Sequence, residues 1–532
     1  MLDDDVFVGA VLAVNPVGAV CDAQGTFWAQ HLALDHKGAL EFGSAGASVP
    51  QAGPSHPLTG SKLAGLAAGA NTTIGVVAVA ADLTPAEAQR VAIMAQDGLA
   101  RAIRPVHTPF DGDTIFVLAT GRQPLSREAE LRPLALTVLG VRDNGTEIGM
   151  AEKAEAGSAI RTIRFYAEAI DKIYGEVAPT PDSHLGMILR EPVGVVAAIV
   201  PWNFPLMIGA WKLAPALAVG NSVVLKPAET ASLSLLRIAA LALEAGLPEG
   251  VLNVVTGTGD VVGDALSASM DVDILTFTGS GAVGGLIMQN AGRSNRKACY
   301  LELGGKSPNL VFADAGDMEA AADATIGGIF RNAGQVCVAG SRLMVEQSVK
   351  ADFIGLLNDR LAGFRTGDPL QLETQAGAIN NAGQLARIAQ HVDDAASQGA
   401  DILTGGHQML AESGGYYYAP TILDKVDRDS SIFQSEVFGP VLSVTTFEDE
   451  AEAVALANGT DYGLAAAIFT RDLSRAHRMV REIKAGVVHV NCYGGPDITV
   501  PLGGMKQSGN GSDKSLHALD KFTDLKTAWI AL

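Results

Sequence analysis

The sequence is short of cysteine, aromatic residues, excess positive charge and long apolar runs, and each shortage excludes something. Its four cysteines, Cys21, Cys299, Cys337 and Cys492, are scattered over 532 residues, with no Cys-x-x-Cys and no His-Glu-x-x-His. A disulfide framework, a zinc site or any other metal centre is therefore not expected. Sparse, unpaired cysteine suits a reducing cytosol, so a cytoplasmic protein is expected. The formal charge of -20 argues against nucleic acid and anionic membrane surfaces as partners. The chain opens MLDDD, acidic where a signal peptide is basic. Its longest apolar runs, such as VGVVAAIV, fall well short of the roughly 20 residues needed to span a bilayer.

What is present is enough apolar material, 48% of residues, for more than one large core. From about residue 141, short apolar strands alternate with Ala-rich helical segments. VGVVAAIV, NSVVLKP, VLNVVTG and DILTFTGS read as strands, and LMIGAWKLAPALAVG, LSLLRIAALALEAG and DVVGDALSAS as the helices between them. That is a βαβ series, which implies a parallel sheet with its ligand beyond the carboxyl ends of the strands. A second series, from SPNLVFA through SRLMVEQ and LSVTTFED to GVVHVNCYG, reads as a second α/β domain. Residues 1–140 differ in texture, with frequent Gly, Ala and Pro around two strand-like runs and the helical pattern TPAEAQRVAIMAQDGLARAI.

The stretch FRNAGQVCVAGSR sets Cys337 among small, flexible residues, where an inert cysteine is usually wedged among large ones. A cysteine becomes a nucleophile only with help from nearby charge or a base. Glu302, in LELGGKSPN, ends a strand before paired glycines, where a carboxylate faces a cleft. Asn203, in PWNFP, is held between Pro201 and Pro205 and offers an amide to an oxyanion. Together they point to covalent attack on a carbonyl carbon. Taken singly, each reads more readily as packing, a solvated acid or a turn. FTGSGAVGG supplies Gly279, Gly281 and Gly284 after a strand and before a helix, the context of a dinucleotide turn. The acidic ribose partner that this fingerprint asks for falls near Glu302, which cannot also serve the cysteine. Lys226 and Glu229 in LKPAET offer an alternative ribose site, or a surface ion pair of little worth.

PWNFP, LKPAE, FTGS, LELGGKSPN, GQVCVAGSR, EVFGPV and PLGGMKQSGNG stand in the order found in the NAD(P)-dependent aldehyde dehydrogenase superfamily. FYAEAIDKIYGEVAPT and the C-terminal end most resemble gamma-glutamyl-gamma-aminobutyraldehyde and related ω-aminoaldehyde dehydrogenases. The resemblance implies two Rossmann-like parallel-sheet domains, with an NAD-binding domain over 141–304 and a catalytic domain over 305–506. It also implies oligomerisation strands in a hairpin about 174–194 and a segment over 507–532, and so a homodimer or homotetramer. Cys337 would be the nucleophile, Asn203 the oxyanion donor and Glu302 the base that activates water. Lys226 and Glu229 would bind the adenosine ribose, Gly279 and Ser280 would lie by the pyrophosphate, and Glu436 and Phe438 would position the nicotinamide end. Pro201, Trp202, Gly259, Gly263 and Val283 complete the cofactor set. A carboxylate at Glu229 repels a 2′-phosphate, so NAD is favoured over NADP. NCYGGPDITVP resembles the loop that lines the aldehyde tunnel, where Asp497 could meet a cationic amine or stand as a solvated loop aspartate.

Residues 1–140 do not resemble the start of a dehydrogenase, whose usual N-terminal layer is replaced here. VLAVNPVG, GANTTIGVV, MAQDGLARAIRPVHTPFDGDT and FVLATG resemble a fragment of the P1 family of self-cleaving N-terminal-nucleophile hydrolases. That resemblance makes Asn71–Thr72 the cleaved bond and Thr72 the freed nucleophile. Asn15 would be an oxyanion residue, and Asp111 and Asp113 supporting acids. Most of the upstream hydrolase chain is absent, so an inactive fragment joined near Gly140–Val141 is expected. Three alternatives to a working dehydrogenase remain at this point. They are a hydrolase acting through Thr72, a fused chain with neither activity, and a dinucleotide-binding protein without catalysis.

Overall fold

The computed structural model describes residues 8–15, 72–81, 114–123, 128–495 and 497–532, with four isolated helical positions at Ala88, Val91, Ala92 and Ala95. The chain divides into two compact units, Met1–Ala129 and Glu130–Leu532. In the first, strand β1 (Val8–Asn15) runs antiparallel to β2 (Thr72–Ala81), which pairs in parallel with β3 (Thr114–Gln123). Val77 and Val79 of β2 are buried against Val91, Ala95, Ile115 and Val117. The β1–β2 register sets Asn15 opposite Thr72.

Helix α1 (Glu128–Asn144) passes through the join expected at Gly140–Val141 without a break, and the division between units falls earlier. A π-helical turn, Ala151–Ala156, follows and leads into α2 (Gly157–Ala167). Strands β4 (Glu176–Ala178) and β5 (His184–Pro192) then pair antiparallel.

The first large sheet is built from β6 (Val195–Ile199), β7 (Ser222–Lys226), β8 (Leu252–Val254), β9 (Ile274–Thr278) and β10 (Ala298–Glu302). Its order is β10-β9-β6-β7-β8, all parallel. Every residue of β9 and nearly all of β6 is buried, as a strand covered on both faces requires. Three helices join these strands: α3 (Pro205–Ala218), α4 (Leu233–Glu244) and α6 (Gly281–Arg293). Between β8 and β9 the segment expected as one helix is a π-helical turn, Gly259–Gly263, followed by short α5 (Asp264–Ala268). Strand order reverses between β6 and β9, and that switch point opens a crevice at the carboxyl ends.

The second sheet carries β11 (Pro308–Val311), β12 (Arg342–Glu346), β13 (Asp401–Thr404), β14 (Thr421–Asp424), β15 (Val441–Phe447), β16 (Ala465–Phe469) and β17 (Val487–Val490). Its order is β13-β14-β15-β12-β11-β16-β17, parallel except at the β13 edge. Helices α7 (Met318–Phe330) and α8 (Ala382–Ser397) cover it. The last strand, β18 (Thr523–Ala531), pairs with β5, giving a separate ribbon β18-β5-β4.

Glu155 ties the π-helical turn to α3. Its carboxyl is buried and accepts from Met207 N at 2.8 Å, filling one of the first-turn donors that a helix leaves open. Burial pushes this carboxyl from 4.5 up to about 8, against the pull of the Met207 and Leu206 amides. The folded chain therefore keeps a proton that the unfolded chain releases above about 4.5, so this group's contribution to stability falls as pH rises from there to about 8. Glu155→Gln keeps an acceptor and cannot ionise. Thermal melts should show little gap between variant and parent at pH 4.5 and a gain of about a few degrees for the variant by pH 8 to 9. A gap that does not change with pH would contradict this account.

Candidate active site

Four strand ends of the first sheet supply the site. Pro201–Asn203 follow β6, Lys226 ends β7, Gly279 and Ser280 follow β9, and Glu302 ends β10. They face the loop between α7 and β12, which carries Cys337. That loop is forced into place by three successive left-handed residues, Asn332, Ala333 and Gly334, with φ of 48°, 51° and 70°. A Cβ at Gly334 would stand 2.1 Å from the Gly439 carbonyl oxygen, so only glycine fits that approach. Beyond the loop, buried Arg342 anchors β12 by donating to the carbonyls of Lys306, Leu456 and Ala457 at 2.7, 3.0 and 2.9 Å.

Between these elements lies a cavity of about 730 Å³. Cys337 and Asn203 are on its wall, as are Pro201, Trp202, Lys226 and Glu229. So are Gly259, Gly263, Gly279, Ser280, Val283, Glu436 and Phe438. Eleven cofactor candidates from the sequence therefore line one cavity, while Gly281 and Gly284 of the dinucleotide turn do not.

The cavity's local geometry suits a dinucleotide. Ser280 caps α6, accepting from Val283 N at 3.4 Å, which turns the helix N-terminus to the cavity. A Cβ at Gly279 would come within 2.3 Å of the Phe277 ring, so the β9–α6 turn needs glycine there. Lys226 is buried and donates to Glu229 at 3.1 Å, while Glu229 is exposed to solvent at the cavity edge. The Trp202 and Phe438 rings meet edge to face at 5.3 Å. Glu436 accepts from Gly305 N at 3.0 Å, and burial pushes its carboxyl up to about 7.

Cys337 is half-buried. Burial first, then the charges of Glu436 and Glu302, push its thiol up to about 12. Asn203 is 3% exposed, and its amide donates to Gln335 O at 2.9 Å. Glu302 does not line the cavity in this conformation. Its carboxyl lies against Gly511, where an added Cβ would be 3.1 Å from Oε1, and that oxygen has no hydrogen-bond partner. Burial and the charge of Asp513 raise its pKa well above the carboxylate range, against the pull of Lys212 and Lys521.

Lys212, Asp513 and Lys521 form a buried cluster behind Glu302 that sequence reasoning missed. Lys212 donates to Asp513 at 3.0 Å and Lys521 binds the other carboxylate oxygen. Burial alone would raise Asp513, and the two lysines overcome that and hold it at about 2. One signal was readable: Lys212 stands alone in the apolar helix LMIGAWKLAPALAVG, where a charge has to find a partner. Gln384, Arg387 and His391 of α8 also line the cavity. Gln384 donates to the carbonyls of Val437 and Phe438 at 3.1 and 2.8 Å, fixing the residues beside Glu436.

The Tyr493 ring lies against Gly340, just past the cysteine, and its hydroxyl donates to Val338 O at 2.6 Å. Past it, Asp497 is exposed and accepts from Thr499 N at 3.0 Å. That hydrogen bond, with a smaller pull from Lys514, holds its carboxyl below the usual range. In the first unit, Asn15 and Thr72 are set opposite each other by backbone register, while Asp111 and Asp113 lie outside the described residues. Among the described residues no cluster of acidic, His or Cys side chains is arranged to hold a metal ion. No helix among them is long and apolar enough to cross a membrane.

Comparison with known proteins agrees with both halves of this picture. The model of peptidase family S58 matches residues 2–170. The aldehyde dehydrogenase family model matches residues 126–528. The NADP/NAD-dependent aldehyde dehydrogenase PuuC of Escherichia coli is 51% identical over 418 residues, covering 77% of this chain and 84% of PuuC. A crystal structure of gamma-glutamyl-gamma-aminobutyraldehyde dehydrogenase from Burkholderia cenocepacia matches with TM-score 0.74 at 49% identity, covering 76% and 83% of the two chains. An indole-3-acetaldehyde dehydrogenase in complex with NAD+ matches with TM-score 0.75 at 51% identity, with the same coverage. With Cys337, Asn203 and the strand-end residues on one cavity and this likeness across most of its length, the chain belongs to the aldehyde dehydrogenase family, oxidoreductases that act on aldehydes with NAD(P).

Proposed function

We propose that the protein oxidises an ω-aminoaldehyde of the gamma-glutamyl-gamma-aminobutyraldehyde type to its carboxylic acid with NAD. The observation that carries this reading is that Cys337 and Asn203 line one cavity with Lys226, Glu229, Gly279, Ser280, Glu436 and Phe438. Cys337 attacks the aldehyde carbon as its thiol proton leaves, and a thiohemiacetal forms. Asn203 and the Cys337 backbone N–H hold the oxygen that gains charge, where donors fixed in advance act most strongly. NAD, when bound, supplies the hydride acceptor. The resulting thioester on Cys337 is then cleaved by water, which Glu302 deprotonates.

Lys226 and Glu229 hold the adenosine ribose, the latter favouring NAD over its 2′-phosphorylated form. The N-terminus of α6 meets the pyrophosphate, and Glu436 with Phe438 positions the nicotinamide end. By the same reading the chain works in the cytoplasm as a homodimer or homotetramer. Its ribbon leaves Val177, Leu525 and Trp529 exposed at 71%, 62% and 59%, apolar surface of the kind that a second copy covers.

Substrate class rests on the 49% identity to the gamma-glutamyl-gamma-aminobutyraldehyde dehydrogenase of Burkholderia cenocepacia and on Asp497 in the loop beyond Tyr493. The test is NADH formation by the purified chain with ω-aminoaldehydes and with simple aliphatic aldehydes of equal length. The amino compounds should have the higher kcat/KM. Because Asp497 is exposed, Asp497→Ala should narrow that preference by only about two- to fivefold. An unchanged ratio would remove Asp497 from the reading, and a preference for simple aldehydes in the parent would remove the substrate class.

A further inference from the structure

Asn203 and Cys337 sit on segments far apart in sequence, and a buried polar bracket that the chemistry above does not use joins them. Asn144, the last residue of α1, donates through Nδ2 to the carbonyls of Trp202 and Asn203 at 3.2 and 3.1 Å. Its own oxygen accepts from Thr146 N at 3.0 Å. The Thr146 hydroxyl donates to Asn332 Oδ1 at 2.8 Å, and Asn332 Nδ2 reaches the Asn203 carbonyl at 3.3 Å. Asn332 N donates in turn to Glu147 at 3.1 Å. Asn144, Asn203 and Asn332 are 4%, 3% and 2% exposed, so water does not compete for these bonds.

Asn332 does this from a left-handed backbone, φ 48° and ψ 35°, followed by left-handed Ala333. Asparagine tolerates that conformation better than most side chains, and the strain sits within five residues of the nucleophile. The Asn203 carbonyl is thus gripped from both sides, by Asn144 from α1 and by Asn332 from the cysteine loop. Its side-chain amide uses one hydrogen on Gln335 O. The second hydrogen is the one an aldehyde oxygen needs.

We propose that Asn144 and Asn332 are positioning residues, which fix the Asn203 peptide so that its amide is aimed at the oxygen of an aldehyde bound to Cys337. The grip ties the oxyanion donor to the nucleophile's own loop, so the two keep one geometry when the surrounding sheets shift. This rests on the role assigned to Asn203 above.

The experiment compares Asn144→Ala, Asn332→Gly, Asn203→Ala and the double variant Asn144→Ala/Asn203→Ala on the full chain. Single-turnover NADH formation, KM for NAD, iodoacetamide alkylation of Cys337 and thermal midpoint are read for each. Asn332→Gly keeps the left-handed backbone accessible and removes only the side-chain grip, so it carries the comparison if Asn144→Ala misfolds. The expected result is a loss of about ten- to a hundredfold in the single-turnover rate for Asn144→Ala and Asn332→Gly, with KM for NAD and alkylation rate within about twofold of the parent. The double variant should be no slower than Asn203→Ala alone. Losses that multiply in the double variant, or a parental rate in both single variants, would overturn the proposal. So would losses that track a lowered thermal midpoint and altered alkylation. Failure of the underlying reading shows separately, as parental turnover in Asn203→Ala itself.

Discussion

Replacing Cys337 with alanine should reduce NADH formation from any aldehyde by at least about 10⁴-fold while leaving NAD binding intact. The expectation follows from what else lines the cavity. Among the described residues, the other cysteines do not line it: Cys299 is half-buried on β10 and Cys492 is exposed. Burial leaves Cys299 with a raised thiol, opposed only by Lys297. Without Cys337 no thiohemiacetal forms, and the oxyanion donor has no charged oxygen to hold. The thiol at about 12 also predicts the direction of the pH response. The neutral thiol dominates well below that value, so the acylation rate should climb as pH rises and more thiolate is present. Alkylation of the parent by iodoacetamide, followed across pH, measures that climb directly. Residual turnover above about 1% of the parent in Cys337→Ala would mean another nucleophile and would sink the mechanism.

How much of this was legible beforehand divides along a physical line. Strands such as VVAAI and ILTFT, and the helices between them, were readable because burial on both faces leaves a continuous apolar signature in the local sequence. So were the strand-end residues, since parallel sheets put ligands at carboxyl ends whatever the chemistry. The partners of Glu302 were not readable. Lys212 and Asp513 lie 301 positions apart, and nothing local in DKSLHALDKF says that its acid and its two lysines are buried together. The bracket on Asn203 was hidden for the same reason. Asn144, Thr146 and Asn332 carry ordinary polar side chains whose meaning comes only from topology. The π-helical turns at 151–156 and 259–263 were also lost, because a one-residue change of hydrogen-bond register leaves little trace in composition.

Glu302→Gln should separate the two halves of the reaction. The variant should form about one NADH per active site in a fast first turnover and then slow, with steady-state turnover down about 10²- to 10⁴-fold. Acylation and hydride transfer need Cys337, Asn203 and the cofactor, all of which the substitution leaves in place. Hydrolysis needs a base for water, and a neutral amide at this position cannot act as one. The parent's own pH dependence follows from the direction of the shift. Burial and Asp513 raise the Glu302 pKa, and a base works only when ionised, so deacylation should be fast above the raised pKa and fall as pH drops through it. Lys212 and Lys521 limit that rise by opposing the Asp513 charge, which keeps ionised Glu302 accessible. The buried Oε1 without a partner costs about 1–3 kcal/mol. That cost favours rotation of the carboxyl from Gly511 toward the cavity, where a water at the thioester offers it a hydrogen bond. A burst followed by a slow, pH-flat steady state in Glu302→Gln would tie the descending acid limb of the parent to this one carboxyl. Parental steady-state turnover in the variant would move the base to Glu436, which lines the cavity and whose carboxyl burial pushes up to about 7.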